Sequence, residues 1–81
     1  MEPFLGQIAL FPYNFAPRGW MLCTGQLINI NQNAPLFSLL GTNFGGDGRT
    51  TFGLPNLQGK EPAPGMLYYI AVNRGAYPMR D

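Results

Sequence analysis

The chain has 81 residues, a net charge of +1, one cysteine and no histidine; 46% of its residues are hydrophobic and 11% charged. That length suits one domain, and a domain so small buries only about 60–65% of its unfolded-chain surface, so it needs reinforcement. An internal disulfide is excluded by the single Cys23, and a tetrahedral zinc site is not expected from one thiol and no histidine, which leaves self-association to cover the apolar surface that so few charges cannot.

The 11 glycines and 8 prolines are spread among apolar residues, a pattern of short strands and many turns. Gly6 to Phe11 reads as a first strand with Ile8 and Leu10 on one face. Pro12 to Arg18 is a loop. Trp20 to Cys23 and Gln26 to Ile30 read as two strands joined at Thr24-Gly25 in a tight hairpin. Leu22 and Cys23 then face Leu27 or Ile28 across it. Asn31 or Asn33 is suited to cap the helix that follows. Pro35 fits only its first turn, Leu36, Leu39 and Leu40 fall at helical spacing, and Gly41 ends it. Two turns of helix survive only by packing.

Thr42 to Gln58 is long and irregular for so small a domain. Within it, Thr51, Phe52 and Leu54 read as a short extended piece. Lys60 to Pro64 is a connector. Met66 to Asn73 is the clearest strand, with Leu67, Tyr69 and Ala71 on one face and Tyr68, Ile70 and Val72 on the other. Both faces are apolar, which suits a central strand or one that pairs with a neighbouring subunit. The expected class is mainly β with one short α-helix, a small α+β domain with a long Gly-rich loop. No internal repeat is visible.

Several functions find little support. The five basic residues form no run, so a nucleic-acid surface is not expected. No apolar stretch approaches the ~20 residues of a membrane span, and the N-terminus lacks the basic opening of a signal peptide. The loop GTNFGGDGRTT departs from the phosphate loop: the lysine is missing, and Asn43 stands where its first glycine belongs. It also fails the dinucleotide fingerprint at Thr51, and one carboxylate is too few for calcium. A structural role is expected instead. Gly41, Gly45, Gly46 and Gly48 supply turns, Asp47 caps backbone N–H groups, and Arg49 pairs with Asp47 or with a carbonyl of another chain. No acid–base pair is readable among Glu2, Asp47, Glu61 and Asp81, and Cys23 has no histidine to activate it. A buried structural cysteine is expected, with no catalytic residue, cofactor or metal. Tyr13, Trp20, Phe44, Tyr68 and Tyr77 are candidate aromatics for an interface or a ligand.

These residues resemble a known family. Phe15-Ala16-Pro17-Arg18-Gly19-Trp20 followed by Cys23-Thr24-Gly25-Gln26 is similar to the "FAPxGW…CxGQ" opening of phage tail collar domains, which also opens the microcystin-dependent proteins of bacteria. The likeness continues in order through Ile30, Asn33, Leu36 to Gly41, Phe44 to Gly48, Thr50 to Phe52 and Leu54-Pro55-Asn56-Leu57. Met66 to Val72 resembles the "MxYCIAL" strand that closes many such proteins, and Tyr77-Pro78 the "FPSR" tail after it. On this likeness residues 1–81 form a single minimal collar domain, with the collar motif at 6–58 and the closing strand at 66–73. Longer relatives carry a sizeable segment where only Gly59 to Gly65 lies here. The usual "LPDLRGR" is Leu54-Pro55-Asn56-Leu57-Gln58-Gly59-Lys60, so one acid and one arginine are lost. Histidines that bind metal along the axis of some tail fibres have no counterpart.

The resemblance implies a structural role in a phage or a related contractile injection system. Such chains are typically intertwined trimers, so the implied partners are further copies of the chain and other tail proteins. The implied location is the particle, assembled in the host cytoplasm and exposed outside. A different reading is an adhesive module at a fibre tip, binding a host receptor or surface glycan during attachment. A small enzyme is a third and weaker alternative.

Overall fold

A computed structural model describes residues 4–73. Tyr77 and Pro78, which carry the likeness to the "FPSR" tail, lie outside them. The elements are β1 (Ile8–Phe11), β2 (Trp20–Leu22), β3 (Leu27–Asn29), α1 (Ala34–Leu40), β4 (Thr51–Gly53) and β5 (Leu67–Ala71). The molecule is mainly β, with two antiparallel sheets and one short helix, as the turn-rich sequence predicts.

The larger sheet has the order β1-β5-β2, so the last strand lies between the first two. Ile8 to Phe11 oppose Ile70 back to Leu67, and Trp20 to Leu22 oppose Ala71 back to Tyr69. This central place explains why β5 is apolar on both faces. Tyr69 and Ala71 pack with Trp20 on one side. Ile70 packs with Cys23, Leu36, Phe52 and Leu54 on the other. Successive residues of a strand point to opposite faces, so one strand supplies both clusters.

The smaller sheet pairs β3 with β4, with Leu27 opposite Gly53 and Ile28 opposite Phe52. The hairpin expected at Thr24-Gly25 is therefore absent: β2 pairs with β5, and β3 with β4. Leu22 meets Tyr69, not Leu27 or Ile28. The chain leaves one sheet for the other at this point. Distant backbone wins because it satisfies the corner: Cys23 N–H donates to Tyr68 O at 3.1 Å, Gly25 N–H to Pro55 O at 3.1 Å, and Leu57 N–H to Cys23 O at 2.9 Å.

Pro35 lies in the first turn of α1, where its missing N–H costs no helical bond. Asn33 occupies the N-cap position without a side-chain capping bond. Its Nδ2 turns back and donates to Asn29 O at 2.9 Å. Leu36 is fully buried, whereas Leu39 is 59% exposed, so the leucine stripe is only partly turned inward. Phe37 shares the inward work, its ring 5.3 Å from that of Phe52. Gly41 closes the helix at φ +58, its N–H donating to Phe37 O at 2.7 Å.

Candidate functional site

Two places gather the residues that the sequence singles out: a corner between the sheets and the loop before β4. The corner is built by Pro17 to Gln26 and Leu54 to Leu57. Pro17 is buried, and its carbonyl accepts Trp20 N–H at 3.0 Å. Gly19, at φ +83, gives its carbonyl to Val72 N–H at 2.8 Å. Gln26 then fixes the turn with its amide. Its Oε1 accepts from Thr24 N–H at 3.2 Å and Thr24 Oγ1 at 2.8 Å, and its Nε2 donates to Leu22 O at 2.8 Å. A Cβ on Gly25 would stand 3.2 Å from Asn56 Cβ, so glycine lets the two segments close up. Cys23 is 2% exposed, and burial pushes its thiol pKa up to about 11. A thiol so placed packs as a small apolar group and resists ionisation.

The loop is organised by Asp47. Its Oδ1 accepts N–H bonds from Arg49 and Thr50 at 2.8 Å and from Thr51 at 3.0 Å. Its Oδ2 accepts the Thr50 hydroxyl at 3.0 Å. The Thr50 N–H first, then those of Arg49 and Thr51, hold this carboxyl well below the usual carboxylate range. Arg49 meets Asp47 through its backbone N–H, not through its guanidinium. The loop is laid against β4 by Gly48 N–H to Thr51 O at 3.0 Å and Gly53 N–H to Gly45 O at 2.9 Å.

Two glycines make that contact possible. A Cβ on Gly46, which sits at φ +92, would lie 2.3 Å from Phe52 Cα. One on Gly53 would lie 2.2 Å from Phe44 O. Gly53 was not among the expected loop residues, because nothing in Thr-Phe-Gly-Leu separates a close approach from a plain strand end. Phe44 stands at the loop's surface, 47% exposed. Leu27, also missed, is 58% exposed, opposite Gly53 and near Gly45.

The remaining aromatics form a ladder. Phe11 stacks on Tyr13 at 5.3 Å and Tyr13 on Phe15 at 5.1 Å, while Phe11 meets the edge of Trp20 at 5.0 Å. Tyr69, fully buried, donates its hydroxyl to Tyr13 O at 2.8 Å and so ties the loop to the sheet. The Tyr13 ring therefore stacks with two neighbours. Trp20 is 4% exposed and lies in the chain's own core; its Nε1 is buried without an acceptor among the described residues. Tyr68 is half-buried against the main core. A groove of about 460 Å³ runs beside the ladder, between Pro12–Phe15 and Gly65–Leu67. Among the described residues, no group of three or more His, Cys, Asp or Glu is placed to hold a metal, and no helix is long and apolar enough to cross a membrane.

The corner and loop are therefore sites of backbone packing, held by glycines, one amide and one carboxylate. The family with this pattern is the Phage Tail Collar Domain, whose model matches residues 6–62, and the chain belongs to it. Comparison with curated proteins and with solved structures gives no match. The matched span holds β1 to β4 and α1 and stops short of β5. Membership places the chain with virion-associated proteins of the phage tail.

Proposed function

We propose that the chain is a structural subunit of a phage tail fibre, or of a fibre-like appendage on a related contractile injection particle, and that it assembles with copies of itself. The homotrimer implied by the resemblance is the expected form, and the chain's role is not catalytic. One observation carries this reading: the corner and loop residues of the collar pattern serve as turns and core. Pro17, Gly19, Cys23, Gly25 and Gln26 build the corner, and Gly46, Asp47 and Gly48 build the loop. Phe4, Leu27, Leu39 and Phe44 stand exposed on the single chain, which suits a subunit with neighbours.

The adhesive reading draws on Phe44, an aromatic side chain presented by a loop that Asp47 braces. A host receptor or glycan, and other tail proteins, are the partners it adds. One experiment addresses both roles. Antibodies against the chain should label the tail or fibre of intact particles in electron micrographs, and particles lacking the chain should lose the labelled structure. If particles assemble normally without it but fail to adsorb to cells, adhesion is the main role. Labelling confined to the host cell would contradict both readings.

A further inference from the structure

The unusual feature of the larger sheet is that its middle strand arrives last. β1 and β2 do not pair with each other; β5 joins them. Without β5 the span 6–62 has an open slot whose walls are Ile8–Phe11 and Trp20–Leu22. The segment that fills it is reached through an exposed connector. Gly59 and Gly65 bracket this connector at φ +81 and +80, with nothing within 4 Å of a Cβ built on either. Between them lie Lys60, Glu61, Pro62, Ala63 and Pro64, all exposed but the partly buried Glu61. The connector's hydrogen bonds are local: Gln58 N–H to Asn56 Oδ1, Gly59 N–H to Glu61 Oε1, and Lys60 N–H to Leu57 O. Its far end, at Gly65 and Met66, borders the groove beside Pro12–Phe15.

We infer that β5 is an exchangeable strand, and that the slot between β1 and β2 takes the Leu67–Ala71 segment of a second copy of this chain. The inference rests on the self-assembly proposed above and names the element that carries it. Every β5 contact with β1 and β2 is the same whether the strand comes from its own chain or a neighbour, so the balance lies in the connector. Closed, the connector must bend at both glycines. Open, its two prolines favour an extended run. Fully extended, Leu57 to Leu67 spans about 30 Å at roughly 3.3 Å per residue. The molecule is 18 Å across its shortest axis, so that reach extends into a neighbouring copy. Exchange also holds exposed side chains such as Leu27 and Leu39 against the neighbour at high effective concentration.

The test uses the full chain with Leu10→Cys and Tyr68→Cys together in a Cys23→Ala background, because Cys23 also lies against Tyr68 on the β2 side. These residues are opposite in register and both half-buried. Opposed Cα atoms in an antiparallel pair lie about 4.5–5.5 Å apart, within disulfide range. The variant is oxidised, denatured and run on a non-reducing gel, with light scattering on the undenatured sample and the cysteine-free Cys23→Ala parent as control. Exchange predicts that most chains run as covalent multiples while the parent does not. Linkage only within single chains, from a sample of oligomeric mass, overturns exchange and leaves self-assembly standing. Linkage within single chains at monomeric mass overturns both. No linkage of either kind contradicts the β1–β5 pairing and overturns the inference as well. Phe11→Cys with Leu67→Cys, the adjacent opposed pair, gives the same readout if the first variant does not fold.

Discussion

Gly46 and Gly53 matter for the side chains they lack. The atoms a Cβ would strike are backbone, which cannot step aside as a flexible side chain would. Gly46→Ala adds the cost of a left-handed backbone to that collision, and Gly53→Ala brings the collision alone. Gly53→Ala should lower stability by about 3 kcal/mol in urea unfolding, and Gly46→Ala by about 1–2 kcal/mol more. Gly59→Ala is the control: it shares the positive φ but meets open space, and should cost about 1 kcal/mol. Equal losses in all three would contradict the close approach. Asp47 is an ionic counterpart to these steric positions. Its folded carboxyl is held below the ordinary value of about 3.9, so its contribution is present above that pH and fades as pH falls below it. The urea midpoint of the parent chain should exceed that of Asp47→Asn at pH 6, and the gap should narrow towards pH 2. A constant gap would mean that the charge does not hold the loop.

At the scale of elements, the deciding bonds are long in sequence. Gln26 holds the corner with three bonds from one amide, so Gln26→Leu keeps the volume and leaves Leu22 O and Thr24 N–H without these partners. The expected loss is about 1–3 kcal/mol in the same assay; a neutral result would show that water replaces the amide. These long-range bonds also explain what was legible in the sequence. The helix at Ala34–Leu40, the short piece at Thr51–Gly53 and the doubly apolar strand at Leu67–Ala71 show in their local pattern, because spacing, Pro35 and Gly41 speak for themselves. The glycines and Asp47 of the loop were legible from turn chemistry. The connection at Thr24-Gly25 was not: two strands with a Gly between them look like a hairpin. Only the bonds from Cys23 and Gly25 to residues 55, 57 and 68 route the chain elsewhere. Asn33 misled in a similar way, since its amide prefers Asn29 O to the helix N-terminus. Trp20 read as a candidate interface or ligand aromatic, and the sheet order places it opposite Ala71 within the core.

At the scale of the whole molecule, two clusters share one strand and the exposed apolar residues lie outside them. Phe4, Leu27, Leu39 and Phe44 are exposed and belong to neither buried cluster. A domain of this size gains from hiding such side chains against neighbours. Belonging to the collar family gives that surface a context, and self-assembly is the claim on which the proposed role and the exchangeable strand both depend. The most direct test is the solution mass of the purified chain by light scattering across a dilution series. We predict a mass near three times the 8.9 kDa chain, unchanged on dilution. A well-folded species of 8.9 kDa at every concentration would contradict it, and would mean that the exposed apolar surface serves a partner other than the chain itself.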